Sequence, residues 1–207
     1  MPGIGFPRSK ESLRSRPQVH YDETPALRCD RPFRTAGTRL YYHATIPQFT
    51  KMLGNMSAIL DKAAKSASER NFEVSVLLQS RLAPDQFNFI RQIQILCDTA
   101  KSGVALLTEK EAPVHADNEL TLGELQERIK SVITYFNSFT PTDFEGAAER
   151  RVTRPRWEGK TLSGEEFLFQ YVLPNFYFHF TTAYSILRHN GVGVGKKDYL
   201  GDMPYKK

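Results

Sequence analysis

Apolar residues recur at steps of three and four along four long segments, the spacing that places them on one face of an α-helix. The first predicted helix begins near Thr45, with Pro47 suited to its first turn, and ends around residue 68. Its apolar stripe consists of Phe49, Met52, Met56, Ile59, Leu60, Ala63 and Ala67. We therefore expect the ordered part of the chain to begin near Tyr41.

The second and third predicted helices show clear start signals. Pro84 and Asp85 open the second helix, and its stripe is Phe87, Ile90, Ile93, Cys97, Ala100, Val104 and Leu107. Thr121 and Glu124 form the capping-box pattern that opens the third helix. The stripe of this third helix, which Pro141 ends, is Leu122, Leu125, Ile129, Val132, Phe136 and Phe139.

The last predicted helix runs from about Glu165 to Asn190, with Gly191 as its left-handed C-cap residue. Pro174 lies inside it and predicts a kink, because proline removes one backbone hydrogen bond. Residues 152–164 suit a short hairpin or an extended crossover. The pattern therefore predicts an all-α fold, an antiparallel four-helix bundle with a short hairpin or extended crossover before the last helix.

Composition divides the chain into a disordered basic arm at residues 1–40, a bundle domain at 41–201 and a tail at 202–207. The arm holds five of the twelve prolines and shows no sustained apolar period. No apolar run reaches the roughly 18 residues of a membrane-spanning helix, and no signal-peptide pattern is present. We expect a soluble cytoplasmic protein; the alternative, a mitochondrial presequence in the arm, is disfavoured by the acidic residues and prolines there.

The formal net charge of +5 is concentrated at the N-terminus. Residues 1–40 contain eight basic and four acidic side chains, so the rest of the chain is nearly neutral. A nucleic-acid-binding domain needs basic residues gathered on one face, and we therefore predict no nucleic-acid partner. Cys29 and Cys97 match no metal or redox spacing, and we expect two free thiols.

His179 is the most unusual candidate for a functional role, because it lies among aromatic residues on the last helix. The stripe formed by Phe169, Val172, Phe176, His179, Ala183 and Ile186 places the imidazole inward. An inward histidine in a helical bundle can act as an acid/base group or metal ligand. It can equally be a core histidine that is hydrogen-bonded to a buried tyrosine or carboxylate.

The second helix offers polar partners for His179, because Arg91, Gln94 and Asp98 share one of its faces. If this face points inward, the sequence predicts a pocket with His179, Asp98 and Tyr184 as catalytic residues. The candidate ligand-binding residues of that pocket are Gln94, Arg91, Phe176 and Arg81. If the face points outward, Asp98 pairs with Lys101. Arg81 and Asp85, on either side of Pro84, have a separate alternative, in which they form a helix cap and its ion pair.

Five short strings identify a resemblance to a known family. They are LGNMSAILDK (53–62), SRLAPDQF (80–87), LPNFYFH (173–179), RHNG (188–191) and DYLG (198–201). The sequence is similar to an uncharacterised group of bacterial and fungal proteins, a domain-of-unknown-function family within the DinB/YfiT-like superfamily. The resemblance covers about residues 41–201.

The superfamily implies a four-helix bundle, often a homodimer, whose better-known members bind a divalent metal through three histidines and include thiol-dependent S-transferases and isomerases. The usual ligands are one histidine on the second helix and a His-x-x-x-His pair on the last. Here the second helix has no histidine, and Ala183 follows His179 by four residues. We therefore predict no metal site and no cofactor.

We expect a helical bundle that binds an unidentified small molecule around His179, with catalysis left open and no membrane partner. One alternative is a non-enzymatic dimerisation or interaction scaffold; another, by superfamily analogy, is a metal- or thiol-dependent transferase or isomerase. A cavity of at least about 300 Å³ beside His179 would favour ligand binding, whereas a filled core would favour the scaffold.

Overall fold

A computed structural model describes residues 31–206, with side chains from Gly37 onward, and shows a mostly helical fold with one small sheet. Residues 1–30 of the predicted arm and Lys207 lie outside the described residues. The helices are α1 (Arg31–Glu69), α2 (Ser75–Gln79), α3 (Phe89–Thr108), α4 (Leu122–Phe136), α5 (Gly164–Glu166), α6 (Leu173–His189) and α7 (Lys196–Leu200). The sheet pairs β1 (Arg151–Val152) with β2 (Leu162–Ser163), and 3-10 turns lie at Pro141–Phe144 and Pro155–Trp157.

The long helices α1, α3, α4 and α6 pack around one apolar core. Helix α3 contacts both α4 and α6, and α1 packs mainly against α4. Two side-chain contacts show that α3 and α6 run antiparallel, since Thr99 bonds Asn175 and Gln92 bonds His179. Gly103 of α3 also lies against Val172, directly before α6. The fully buried side chains include Phe49, Phe89, Phe136, Phe144, Phe167, Phe176 and Phe180.

Helix α1 begins at Arg31, ten residues before the predicted start of the ordered domain at Tyr41. Residues 31–40 of the predicted arm are therefore helical. Pro32 falls in the first turn of this helix, where proline is tolerated because the first N–H groups have no intrahelical partner. Pro47 lies inside α1 and not at its start. Proline has no N–H, so one backbone carbonyl of the helix loses its usual hydrogen-bond donor. Because Pro47 is exposed, water can replace that donor.

Helix α3 begins five residues after the predicted Pro84. Asn88 caps it by accepting a hydrogen bond from the backbone N–H of Arg91 at 3.1 Å, so the first helical residue is Phe89. The side chain of Phe87, which the stripe predicted to be buried, is 57% exposed as a result. The capping box predicted for Thr121 and Glu124 is confirmed at the start of α4.

The last helical segment runs without a break from Gly164 to His189, as α5, a π-helical stretch at Phe167–Val172, and α6. The π-helical stretch ends at Val172, two residues before Pro174, the proline at which the sequence predicts a kink. The N–H of Leu173 bonds the carbonyl of Leu168, five residues back. The wider turn accommodates the proline ring, which would clash with a carbonyl four residues back in a regular α-helix.

Of the two alternatives predicted before the last helix, a short hairpin or an extended crossover, the structure shows the hairpin, as the antiparallel pair of β1 and β2. Residues 202–206 of the predicted tail carry no regular secondary structure. Within the described residues, no helix is long and apolar enough to cross a membrane.

Candidate functional site

A buried arginine organises the polar face between α3, α4 and the loop at residues 109–121. The side chain of Arg128 on α4 is only 1% exposed, yet it carries a full positive charge. Its guanidinium lies 2.7 Å from Asp98, 2.8 Å from Asp117 and 2.7 Å from Glu119, and it also donates to the Gln94 carbonyl at 3.3 Å. A buried charge requires such partners, because removal from water is otherwise very unfavourable.

The ion pairs fix the charge states of this network. Burial opposes the charged form of Arg128, but the hydrogen bond to Glu119 and the charge of Asp98 raise its pKa. Burial also acts to raise the pKa values of Asp117 and Glu119. Hydrogen bonds from Arg91 and Arg128 nevertheless hold the pKa of Asp117 below its usual value. A hydrogen bond from Arg128 likewise lowers the pKa of Glu119. The carboxylates and the guanidinium therefore stay ionised at neutral pH.

A chain of polar contacts continues from Asp98 to the surface. Lys101 lies 3.0 Å from Asp98, and its ammonium also lies 2.8 Å from the Pro113 carbonyl and 2.7 Å from Nδ1 of His115. Nε2 of His115 in turn lies 3.2 Å from the Ser131 hydroxyl. Burial, followed by the charges of Lys101 and Arg128, lowers the pKa of His115, which is therefore neutral at pH 7.

The direction of these hydrogen bonds decides what His115 and Ser131 can do. An ammonium group only donates, so Nδ1 of His115 must accept from Lys101, and the single ring proton of the neutral imidazole resides on Nε2. Nε2–H then donates to Ser131 and cannot remove the proton of its hydroxyl. The pair resembles a nucleophile and its base, but it has the wrong tautomer for that role.

An open groove of about 550 Å³ lies over this end of the network. It is lined by His115, Glu119, Gly123, Glu124, Gln126, Glu127, Arg128 and Ser131. Because Ser131 accepts from His115, its own hydroxyl proton is free to donate into the groove. The groove therefore presents donors and acceptors to a polar molecule.

Arg91, Gln94 and Asp98 do share one face of α3, as the sequence predicts, and that face turns toward the 109–121 loop. Arg91 donates to Gln94 at 3.0 Å and to Asp117 at 2.6 Å, and Gln94 donates to Glu119 at 2.8 Å. Asp98 pairs with Lys101 as in the outward alternative, but it also contacts the buried Arg128. The three residues thus belong to the Arg128 network.

His179 is buried on α6, but on the other side of α3. Its Nδ1 lies 2.7 Å from Oε1 of Gln92, two residues before Gln94 and so on the opposite side of the helix. Burial, reinforced by the charge of Arg91, lowers the pKa of His179 to about 4. Among the described residues, no hydrogen bond joins it to Asp98, Gln94 or Tyr184, and the groove does not include it.

The other predicted site residues are dispersed. Phe176 is fully buried and stacks on Phe49 with ring centroids 4.4 Å apart, so it is a core residue. Tyr184 donates to the Val194 carbonyl at 3.5 Å on another side of α6. Arg81 is exposed and donates to the Pro84 carbonyl at 3.4 Å, so the structure does not bring it to His179.

The sequence reasoning missed Arg128, Glu119, His115 and Ser131, all of which contribute to the network or the groove. A signal for Arg128 was present, because it lies three residues after Leu125 on the apolar stripe of α4. A charged residue on such a stripe predicts a buried ion pair. The loop residues Glu119 and His115 carry no comparable pattern, and only the folded loop brings them to α4.

The residues around His179 do not fit the three-histidine metal site of the superfamily. The hydrogen-bonding partner of His179 is the Gln92 amide, and His43 is exposed on α1. The carboxylates of Asp98, Asp117 and Glu119 are already engaged in ion pairs with Arg128, and Arg91 and Lys101 add further positive charge. In the part of the chain that the structure describes, no group of three or more His, Cys, Asp or Glu residues could hold a metal ion.

Cys97 does not supply a reactive thiol. It is fully buried in α3, and burial raises the pKa of its thiol to about 12. The thiolate is the nucleophilic form of cysteine, so this residue is inert at neutral pH.

Comparisons with known proteins agree with the resemblance drawn from the sequence. A family model described as a domain of unknown function (DUF1993) matches residues 41–200. The crystal structure of a DinB family member protein from Shewanella denitrificans is similar to this chain at 55% sequence identity, with a TM-score of 0.82. The match covers 84% of this chain and 98% of that one. No curated protein sequence matches the chain.

Proposed function

We propose that this chain, which belongs to the DUF1993 family and is DinB-like, binds a small polar molecule in the groove beside Arg128. The proposed site has no resident metal. The observation that supports this proposal is the Arg128 network next to the groove. A buried ion network is a weak source of stability compared with apolar packing. Ionisable groups with shifted pKa values beside a concave surface are typical of functional sites.

The donors and acceptors of the groove suit a ligand that carries hydroxyl, amide or amine groups. Ser131 offers a hydroxyl proton, and Glu127 is a largely exposed carboxylate whose contact with Lys130 is long, at 3.5 Å. The Arg128 guanidinium is held by three carboxylates and attracts an anion only weakly. A neutral or cationic polar molecule therefore fits better than an anion.

The test is a ligand screen by NMR with a library of small polyols and amines. We expect ligands that perturb the amide signals of residues 115–131, with weaker binding in Ser131→Ala and His115→Gln. His179→Gln is the matched control and should bind as the wild type does. Binding that is lost in His179→Gln and retained in Ser131→Ala would contradict the proposal and favour the pocket predicted around His179.

We also infer an antiparallel four-helix bundle formed by α1, α3, α4 and α6, supported by the antiparallel contacts of α3 with α6 and by the DinB family neighbour.

Homodimerisation is a second candidate function, and exposed aromatic side chains favour it. Phe87 is 57% exposed and Phe178 is 54% exposed. Gln92 connects their two segments, because it donates to the Phe87 carbonyl and also contacts His179, the residue after Phe178.

Light scattering after size exclusion would test the dimer. We expect twice the monomer mass for the wild type and a shift to monomer for the double variant Phe87→Ser, Phe178→Ser. A wild-type monomer at all concentrations would contradict the dimer but leave the proposed ligand site untouched.

A further inference from the structure

The hairpin before the last helix contains a local concentration of positive charge. Residues 150–160 contain five basic residues and a single acidic one, Glu158. Arg150 pairs with Glu109 at 3.3 Å. Within the described part of the chain, the remaining four make no ion pair; they are Arg151, Arg154, Arg156 and Lys160.

Two of these arginines converge on one aromatic ring. Nη1 of Arg154 donates to the Tyr171 hydroxyl at 2.9 Å, and its guanidinium carbon lies 5.3 Å from the ring centroid. The guanidinium carbon of Arg156 lies 5.4 Å from the same centroid. Guanidinium groups over an aromatic face are attracted by the negative charge of that face, which holds both side chains near Tyr171.

Tyr171 itself is held by its neighbours. Its ring stacks on Phe167 with centroids 5.7 Å apart and meets Trp157 edge-on at 5.5 Å. The Tyr171 hydroxyl accepts from Arg154, so its own proton remains available to a further acceptor. Two guanidinium groups and one hydroxyl donor therefore lie together at a ring whose position is fixed.

The charge of Arg154 has no full compensation. The residue is half-buried, and burial lowers its pKa, an effect that Asp98 only partly offsets. Asp98 is already engaged with Arg128 and Lys101. The nitrogens of Arg154 that face away from Tyr171 remain reachable from solvent, so an external anion can supply the missing counter-charge.

We propose that Arg154, Arg156 and Tyr171 form a binding site for the oxyanion group, phosphate or carboxylate, of a small ligand. The planar fork of a guanidinium matches the paired oxygens of both groups, and the Tyr171 hydroxyl adds a third donor. This site shares no residue with the groove beside Arg128, so it goes beyond the function proposed there.

Trp157 provides a built-in probe, because it is the only tryptophan of the chain and contacts Tyr171. Its fluorescence would be titrated with sodium phosphate and, separately, with sodium acetate, at constant ionic strength maintained with chloride. We expect a saturable change with at least one of the two. Saturation by phosphate alone would identify a phosphate ligand, and saturation by acetate would identify a carboxylate.

Three variants and a matched control locate the site. Arg154→Gln should weaken binding about tenfold or more, and Arg156→Gln and Tyr171→Phe severalfold each. Arg151→Gln is the control, because Arg151 lies in the same hairpin and, among the described residues, its side chain hydrogen-bonds just the exposed Thr161 hydroxyl. It should bind as the wild type does.

The proposal is overturned if neither anion gives a saturable change up to about 10 mM, or if binding survives both Arg154→Gln and Arg156→Gln. Equal weakening in Arg151→Gln would also overturn it, since that result indicates general charge attraction. Should Arg154→Gln fail to fold by circular dichroism, the exposed Arg156 still decides the question, because its substitution removes no core contact.

Discussion

At the scale of single residues, burial decides whether a polar side chain acts in the core or toward solvent. His179 and His115 show the contrast. His179 is 7% exposed, and its Nδ1 contacts a neutral amide, whereas His115 connects a buried lysine to a groove. Both imidazoles have lowered pKa values, chiefly through burial, but only His115 lies where a ligand can reach it.

The lowered pKa of His179 predicts a specific pH dependence of stability. The folded value of about 4 lies below the unfolded value of 6.5, so the unfolded chain takes up a proton first. The stability that neutral His179 contributes is complete above pH 6.5 and is lost as the pH falls toward about 4. The loss amounts to about 3 kcal/mol.

Urea unfolding of the wild type and of His179→Gln at pH 7.5 and pH 4 would measure this loss. Carboxylates such as Asp117 also lose stability toward acid in both proteins, so the difference between the two proteins isolates His179. We expect the wild type to lose about 3 kcal/mol more than the variant. An equal loss in both would show that His179 is protonated without strain in the folded protein.

Phe176 and Phe178 provide a matched pair on one helix. Phe176→Ala should lower the free energy of unfolding by about 3 to 5 kcal/mol, because the fully buried ring packs on Phe49 and its removal leaves a cavity. Phe178→Ala should cost less than about 1 kcal/mol, because that ring is 54% exposed. Chemical denaturation measures both, and similar losses would contradict the assigned orientation of α6.

At the scale of elements, two helix starts with the same capping pattern differ in their surroundings. Ser163 and Glu166 form a capping box at α5, as Thr121 and Glu124 do at α4. Each box encloses a glycine in the first helical turn, Gly123 in α4 and Gly164 in α5. A side chain on Gly164 would collide with the backbone carbonyl of Ala147, whereas one on Gly123 would meet no atom closer than 4.0 Å.

Gly164→Ala should therefore destabilise the protein strongly, by more than about 3 kcal/mol, because a backbone carbonyl cannot move aside as a side chain can. Gly123→Ala should be neutral or stabilising by up to about 1 kcal/mol, since alanine favours the helix. Thermal unfolding of the two variants gives the comparison. A tolerated Gly164→Ala would mean that α5 and the backbone at Ala147 are less closely packed than the structure indicates.

At the scale of the whole molecule, we predict a metal content that differs from that of three-histidine metal-binding proteins. We expect the purified protein, dialysed without chelator, to contain much less than one equivalent of zinc, nickel, iron or manganese by elemental analysis. The physical reason is that one histidine beside an amide, with nearby carboxylates paired to Arg128, cannot supply three ligands. Stoichiometric metal that disappears in His179→Ala would contradict this prediction.

The helices themselves were largely predictable from the sequence, because apolar spacing and caps are local signals. The capping box at Thr121 indicated the start of α4, and the residues from Trp157 to Lys160 indicated a hairpin or an extended crossover. The predicted start of α3 was wrong by five residues. Pro84 is an acceptable first-turn residue, but the helix begins after Asn88, whose side chain caps it by accepting a hydrogen bond from the Arg91 N–H. Similarly, Pro47 fits a helix start but is tolerated inside α1.

What the sequence determined by itself was the four long helical segments, the family, the inward position of His179 and the shared face of Arg91, Gln94 and Asp98. These follow from repeat spacing along one segment, or from short strings of residues. Tertiary structure alone decided that this face meets Arg128 and the 109–121 loop, while His179 meets Gln92 on the other side of α3. The reason is that periodicity defines the faces of each helix, but the rotation of one helix against another depends on how all the side chains pack together.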